Sequence, residues 1–186
     1  MERTEFEEEL GICKQILEIN RQAMEKLKEL KFGKWIELLK TASQMVDFLE
    51  AQSPFSKTNK FNSVASITYN NWGWYYQKKL IFEKALEFFQ KSINYNKHIK
   101  GDEISLSSTH LHIWALFSQQ GNHDLAYRHG KTALKLLPAA YRKLKEVYTV
   151  KGQLQQSQQY EDERYNLIMT LVVAYYNTGT EWEYLK

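Results

Sequence analysis

Apolar residues recur at helical spacing in the middle of the chain. Tyr69, Trp72, Gly73 and Tyr76 follow one another at the i, i+3, i+4, i+7 intervals that define one stripe of an α-helix. A second stripe follows a short turn near Leu80, and it consists of Phe82, Ala85, Leu86, Phe89 and Ile93. Glycine inside a helix costs up to about 1 kcal/mol relative to alanine, so Gly73 on the stripe indicates close approach of a neighbouring helix. The pattern predicts a helical hairpin.

The hairpin pattern returns twice further along the chain. The second copy has two stripes around a turn at Gln120-Gly-Asn, and they comprise His110, Ile113, Trp114 and Phe117 and then Ala126, Gly130, Ala133, Leu134 and Leu137, closed by Pro138. A third copy, 106 residues after the first, begins with Tyr175, Thr178, Gly179 and Trp182. The chain stops at Lys186, where its second helix should begin, so we expect a lone capping helix or a segment cut from a longer protein. Uncovered Tyr175, Trp182 and Leu185 would favour self-association, since solenoid ends need a cap.

These spacings resemble the tetratricopeptide repeat, whose signature spans about 34 residues. The first copy carries the resemblance at Tyr69, Trp72, Gly73, Tyr76, Ala85, Phe89 and Ser92, and the second at Gly121, Ala126, Ala133 and Pro138. The copies start 41 residues apart, from Gly73 to Trp114. That spacing is similar to the longer-spaced subclass in kinesin light chains and spindle-orientation adaptors, and the phrases at 109–123 and 174–185 resemble repeat proteins of ciliated and flagellated protists. The resemblance implies an all-α fold of antiparallel helical hairpins stacked into a right-handed solenoid.

Four segments follow from these patterns. Residues 1–60 form N-terminal helices with a degenerate repeat around Gly33, Trp35 and Leu38, and residues 61–140 form the two clear hairpins. A turn-rich stretch at 53–59 separates these two segments. Residues 141–171 form an eroded repeat or a linker helix, and residues 172–186 form the first helix of a further, incomplete repeat.

The second copy departs from the signature at two positions. Trp114 stands where a glycine or alanine is usual, and Gly130 stands where an aromatic residue is usual. A large side chain on one helix that faces a missing one on the other keeps the local volume nearly constant, which cores tolerate best. We therefore expect the two departures to offset each other.

Composition narrows the class of protein. Only eight glycines and two prolines occur in 186 residues, which favours long helices. The acidic N-terminus does not resemble a signal peptide, and the single Cys13 excludes an intrachain disulfide, so a cytoplasmic location is expected; the resemblance adds a cytoskeletal or ciliary setting. No apolar run approaches the roughly 20 residues that span a bilayer, which predicts no membrane partner. A formal charge of +3 is too small to indicate nucleic-acid binding.

The residue pattern predicts no catalytic, cofactor or metal site. The five histidines lack the spacing of zinc ligands, and two of them, His110 and His123, fall on packing positions of the repeat. Cys13 lies in an apolar helical stretch and reads as a buried, reduced thiol. Glycines occur singly, without a phosphate-binding loop. We expect a protein that is not an enzyme and needs no cofactor.

The resemblance also implies a concave groove, lined by the first helix of each hairpin, that takes a peptide or helix of another protein. In the repeat frame the groove residues are Asn70, Trp74, Gln77 and Lys78 in the first copy and Leu111, His112, Ala115 and Gln119 in the second. Asparagine and glutamine can pair with peptide backbone, and tryptophan is frequent in interface hot spots. The chaperone-binding clamp of some relatives is disfavoured, because Leu111 and His112 stand where cations are needed. The predicted function is a protein–protein interaction adaptor or scaffold.

Three other functions remain open from the sequence. An architectural subunit of a cytoskeletal or axonemal assembly would use outer surfaces such as Arg142, Lys143 and Lys145. A helical-repeat RNA-binding protein would bind polynucleotide in a salt-sensitive way. A regulatory domain of an enzyme would have its catalytic part beyond Lys186. In each case the chain is expected to act in a larger complex or to self-associate.

Overall fold

The computed structural model describes residues 2–29, 31–51, 58–150 and 158–186. Those residues form seven α-helices and no strand, which confirms the predicted all-α class. The helices are α1 (Glu2–Lys28), α2 (Phe32–Ala51), α3 (Asn59–Lys78), α4 (Phe82–Asn96), α5 (Glu103–Gln119), α6 (His123–Val150) and α7 (Gln158–Tyr184). The turn-rich stretch predicted at 53–59 lies mostly outside the described residues.

The chain divides into unit 1 (residues 1–100), with α1 to α4, and unit 2 (residues 101–186), with α5 to α7. Within each unit consecutive helices pack on one another, as in a helical repeat. In unit 1 the helices pair as α1 with α2 and α3 with α4, and α3 also packs on both α1 and α2. In unit 2, α5 pairs with α6, and α7 packs on both.

The α3–α4 hairpin explains the unusual Gly73. A Cβ atom at Gly73 would overlap the ring of Phe89 in α4, so the glycine permits the close approach of the two helices. This confirms the close pairing that the sequence predicts. On the same face the Ser66 and Ser92 hydroxyls are 3.0 Å apart and buried, and the Tyr76 ring stacks on Phe88 with centroids 5.4 Å apart.

The turns of the two clear hairpins have the same backbone design. At the end of α3 the Ile81 N–H donates to the Tyr76 carbonyl at 2.9 Å, and the intervening Leu80 has a φ of 58°. At the end of α5 the Asn122 N–H donates to the Phe117 carbonyl at 2.9 Å, with Gly121 at a φ of 70°. Both turns are Schellman motifs, in which a left-handed residue usually supplied by glycine ends the helix.

Unit 2 differs from the sequence prediction at Pro138, which lies inside α6 instead of closing it. Proline removes one backbone hydrogen bond, but the helix beyond it gains packing that offsets this loss. Leu137 and Ala140 are buried with Leu167 and Ala174 of α7, and α6 continues to Val150. The segment 141–171 therefore contains the end of α6 and the start of α7, with 151–157 outside the described residues.

Unit 1 contains the chain's single cysteine. Cys13 lies in the core of this unit, and the prediction of a buried thiol is confirmed. Burial raises its pKa to about 11, so the thiol stays protonated at neutral pH. An unreactive, structural role follows from that environment.

Candidate partner-binding site

A cavity of about 490 Å³ lies between α5 and α7 in unit 2. We call it the α5–α7 groove. Its lining is drawn from one face of each helix: Ser108, Leu111, His112, Trp114 and Ala115 of α5, and Asn166, Met169, Thr170, Val173 and Asn177 of α7. Leu111, His112 and Ala115 were predicted as groove residues from the repeat frame. Gln119, the fourth predicted position in this copy, is an exposed residue at the end of α5 and is not among the lining residues.

Helical geometry explains how the groove forms. The α5 lining positions 108, 111, 112 and 115 recur at the three- and four-residue spacing of one helix face, and 166, 169, 170, 173 and 177 do so on α7. Another face of α5 carries His110 and Phe117, whose rings lie 5.1 and 5.7 Å from the His129 ring of α6. The α5 helix therefore uses one face to pair with α6 and another to line the groove.

The groove lining carries no acidic or permanently charged side chain. His112 is its one titratable residue, and although the side chain keeps some exposure, burial lowers its pKa to about 4. The imidazole is therefore neutral at physiological pH. Apolar atoms make up most of the lining surface, and Asn166 and Asn177 add amide donors and acceptors. This lining suits an uncharged, largely apolar ligand segment with a few polar atoms.

Trp114 links the groove to the α5–α6 hairpin. Its side chain lines the groove, and its Cδ1 atom lies 3.5 Å from the position that a Cβ of Gly130 would occupy. Trp114 therefore contacts the space at Gly130, as expected, but the Thr178 side chain of α7 lies nearer to the same position. The indole N–H of Trp114 is buried without a hydrogen-bond partner among the described residues. An unpaired buried donor of this kind costs about 1–3 kcal/mol.

The four predicted groove residues of the first copy lie on one face of α3 in unit 1. Asn70, Trp74 and Gln77 are half-buried and Lys78 is exposed. Trp74 also packs against the hydrophobic core of unit 1, and the Lys78 Nζ atom lies 5.6 Å from the Trp74 ring centroid. Packing and a cation–π contact thus already occupy part of the surface that the prediction assigned to a ligand.

The residue next to Asn70 has a structural role that the sequence did not reveal. Asn71 is buried, and its Nδ2 atom donates to Asn20 Oδ1 of α1 at 2.8 Å. Asn20 Nδ2 in turn donates to Thr68 Oγ1 at 2.8 Å. These three side chains fill the α1–α3 contact, so Asn71 belongs to the packing of unit 1. A buried amide at a helix contact has no local sequence signature, because its partner lies 51 residues away.

The two histidines predicted on packing positions are found there. His110 Nδ1 lies 2.9 Å from His129 Nδ1, between α5 and α6. His123, at the start of α6, pairs through Nδ1 with Glu181 Oε2 of α7 at 2.6 Å, and its ring stacks on Tyr184. Glu181 is 1% exposed, so this side-chain contact lies at the buried end of the α6–α7 interface. No local sequence pattern marks Glu181 as buried, because its partner lies 58 residues earlier.

Unit 1 has a smaller cavity that none of the predicted residues line. It has a volume of about 260 Å³ and is lined by Glu50, Asn62, Asn94, Tyr95 and His98. Tyr95 donates its hydroxyl hydrogen to Glu50 across this cavity at 2.6 Å. The Glu50 carboxylate is thus already hydrogen-bonded within unit 1. The α5–α7 groove therefore remains the candidate site.

Comparison with known proteins identifies no relative: none of the protein-family models matches the chain, and no curated protein matches it. The interpretation of the site therefore rests on the residues and their packing. Among the described residues, no group of three or more His, Cys, Asp or Glu side chains is placed to hold a metal ion. The described helices also include none that is long and apolar enough to cross a membrane.

Proposed function

We propose that this chain is a non-catalytic adaptor of the tetratricopeptide type that binds a peptide or helical segment of another protein. The observation that supports this proposal best is the α5–α7 groove, because Leu111, His112 and Ala115 line it as the repeat frame predicts. Its volume of about 490 Å³ falls in the range of about 300–1,000 Å³ typical of ligand sites. Asn70, Trp74, Gln77 and Lys78 of α3 form a second contact surface in this proposal.

The chemistry of the groove suggests which segment it takes. Neither helix contributes a charged side chain to the lining, so a strongly acidic or basic peptide would lose its hydration there without a compensating partner. A segment with one or two apolar anchors can displace water from Leu111, Met169 and Val173. Amide groups at Asn166 and Asn177 can pair with its backbone. We therefore propose an uncharged, apolar-anchored segment as the ligand.

The test uses a defined probe, a displayed library of random 12-residue peptides selected against the full chain. Ala115→Trp adds a large side chain inside the groove, and Lys135→Trp adds the same side chain at an exposed position of α6. We expect selected peptides to bind the Ala115→Trp variant at least tenfold more weakly and the Lys135→Trp variant equally well. Circular dichroism must show that both variants are folded. Equal binding to both variants, or no enriched peptide, would refute the proposal.

An architectural role in a larger assembly is the second candidate. The observation in its favour is the outer face of α7, which exposes Tyr165, Tyr176 and Tyr184 at 63%, 75% and 66%. Exposed apolar surface can mark an interaction site, and three exposed aromatic rings on one helix make α7 a candidate for one. The cytoskeletal or ciliary setting implied by the resemblance belongs to this candidate and stays a prediction.

The same pair of variants separates the two candidates. Tagged wild-type chain, Ala115→Trp and Lys135→Trp are compared by affinity purification and mass spectrometry. An adaptor that uses the groove loses a prominent partner only in the Ala115→Trp variant. An architectural subunit that binds through other faces keeps its partners in both variants.

A further inference from the structure

One stripe of α7 is apolar, exposed and without a partner helix among the described residues. It consists of Ile168, Val172, Tyr175, Gly179 and Trp182, spaced by four and three residues in turn. Ile168, Val172, Tyr175 and Trp182 are 36%, 54%, 61% and 52% exposed. A Cβ atom at Gly179 would meet no atom within 4 Å. We call this the α7 stripe.

The corresponding stripe of α3 is covered by α4. Counting back 106 residues, the α7 stripe corresponds to Asn62, Ser66, Tyr69, Gly73 and Tyr76. Of these, Ser66 meets Ser92, Gly73 admits Phe89, and the Tyr69 and Tyr76 rings stack on Phe88. This register is therefore the face through which a first helix receives its antiparallel partner.

The second hairpin uses the same register. The positions of α5 that correspond to Tyr69 and Tyr76 are His110 and Phe117, and both rings lie against His129 of α6. Two hairpins thus cover a face that α7 leaves open among the described residues. The α7 stripe is built like a helix-pairing surface, including a glycine where a partner side chain can enter.

Charge and area indicate what kind of partner fits the stripe. Residues 165–180 contain no charged side chain, so two copies of this face do not repel each other. Aromatic residues bury about 150–250 Å² each, so pairing two stripes would cover on the order of 1,000 Å² in total. Stable interfaces bury at least about 1,200 Å², so this smaller area predicts a dimer that dissociates readily.

The stripe is also complementary to itself in antiparallel register. With a two-fold axis at Tyr175, the ring of Tyr175 faces the partner's Tyr175. Gly179 then faces the partner's Val172, and Trp182 faces the partner's Ile168. The Gly179–Val172 contact places a glycine opposite a larger side chain, and each contact away from the axis occurs twice, as in an isologous interface.

We propose that a second copy of this chain covers the α7 stripe, through an antiparallel pair of α7 helices centred on Tyr175. Lys186 lies over the Trp182 ring, with Nζ 3.8 Å from the centroid, and so occupies the end of the stripe and not its centre. The pairing brings Arg164 near the partner's Lys186, and Glu161 already neutralises Arg164 within its own helix. The interface is distinct from the α5–α7 groove, whose lining residues do not include the stripe.

The first test measures the mass of the full chain by sedimentation velocity over a concentration series from low micromolar to several hundred micromolar. We expect wild type to shift from monomer to dimer across the series. Tyr175→Glu places two carboxylates opposite each other at the axis, so we expect dimerisation to weaken at least tenfold. Phe48→Glu is the matched control, because Phe48 is 55% exposed on α2 and lies outside the stripe. A wild type that stays monomeric throughout would overturn the proposal.

The second test locates the axis by cross-linking. Tyr175→Cys should form a disulfide-linked dimer on mild oxidation, because facing residues at a helix pair approach closely. Tyr184→Cys, equally accessible at 66% exposure but off the stripe, should form far less. The native Cys13 is fully buried and does not compete. A dimer that Tyr175→Glu leaves intact, or equal cross-linking of both cysteines, would also overturn the proposal.

Discussion

The two clear hairpins pack their helices with the same spacing but opposite side chains. In α3–α4 the glycine lies on the first helix, where Gly73 receives the ring of Phe89. At the corresponding positions of α5–α6, 41 residues later, the first helix carries Trp114 and the second carries Gly130. Trp114 contacts the open side of Gly130, where its Cδ1 atom lies 3.5 Å from the position of a Cβ. Between the two hairpins the glycine and the large side chain have therefore exchanged helices.

The position of the glycine on the second helix of the α5–α6 hairpin also affects how α7 packs. The open side of Gly130 receives Thr178 as well as Trp114, and the Thr178 side chain is the nearer of the two. In unit 1 the three atoms nearest to a Cβ at Gly73 all belong to the ring of Phe89. In unit 2 the glycine on the second helix thus lets α7 approach the hairpin.

The contacts between first helices differ in the same way. Asn20, Thr68 and Asn71 close the α1–α3 contact with a buried hydrogen-bond network. At the position of Asn71, α5 has His112, and the α5–α7 contact leaves a groove of about 490 Å³. Corresponding repeat positions therefore form a filled helix contact in unit 1 and a cavity in unit 2. The difference depends on the facing helix, which in unit 1 supplies Asn20 as the hydrogen-bonding partner of Asn71.

The largest effect on stability is expected when Gly73 of the first hairpin is replaced by tryptophan while Phe89 is kept. Gly73→Trp should destabilise the chain by about 3 kcal/mol, since the new side chain overlaps Phe89. Adding Phe89→Gly, which copies the arrangement of the second hairpin, should recover at least about 1 kcal/mol relative to the sum of the single changes. Urea unfolding measures each value.

The control for this prediction is Gly33→Trp, because a Cβ at Gly33 meets nothing within 4 Å. We expect it to change stability by less than about 0.5 kcal/mol. Additive effects of Gly73→Trp and Phe89→Gly would mean that the two positions do not share one packing site.

The next effect concerns pH and is specific to unit 2. His112 has a pKa lowered to about 4 by burial, below its value of about 6.5 in an unfolded chain. The unfolded state therefore binds the proton first, so stability falls as pH decreases from about 6.5 to 4 and levels off below that. We expect a loss on the order of 2 kcal/mol from this residue, discounted for its partial exposure.

The measurement compares urea midpoints at pH 7 and pH 4.5 for wild type, His112→Asn and His98→Asn. His112→Asn restores the residue that unit 1 has at this register and should remove most of the dependence. His98 is exposed, so its replacement should leave the dependence in place. An unchanged pH profile in His112→Asn would show that other groups control it.

The smallest effect is expected at the turns. Leu80 adopts a φ of 58° where the second hairpin has Gly121. Leu80→Gly should stabilise the chain by about 1 kcal/mol, because a left-handed residue with a side chain costs about 1–2 kcal/mol and Leu80 is 69% exposed. Gly121→Leu should destabilise it by a similar amount. Thermal unfolding of both variants tests this, with Lys79→Gly as the control that should not stabilise.

Much of the candidate site could be predicted from spacing. Leu111, His112 and Ala115 fall on one helix face in any α-helix, so the repeat frame alone places them together. The facing residues on α7 could not be predicted, because they share no short-range pattern with α5. On α7 the sequence predicted that Tyr175, Trp182 and Leu185 are uncovered, and all three are exposed, whereas Thr178 is buried.

Local patterns along the sequence determine the helices, the positions of the hairpin turns and the need for close approach at Gly73, because these depend on interactions within a few residues. Tertiary structure alone decides that α6 runs through Pro138, that Glu181 is buried beside His123, and that the α5–α7 contact is open. Each of these outcomes is set by a partner tens of residues away. Side-chain volume and polar pairing across helices cannot be read from the spacing within one helix.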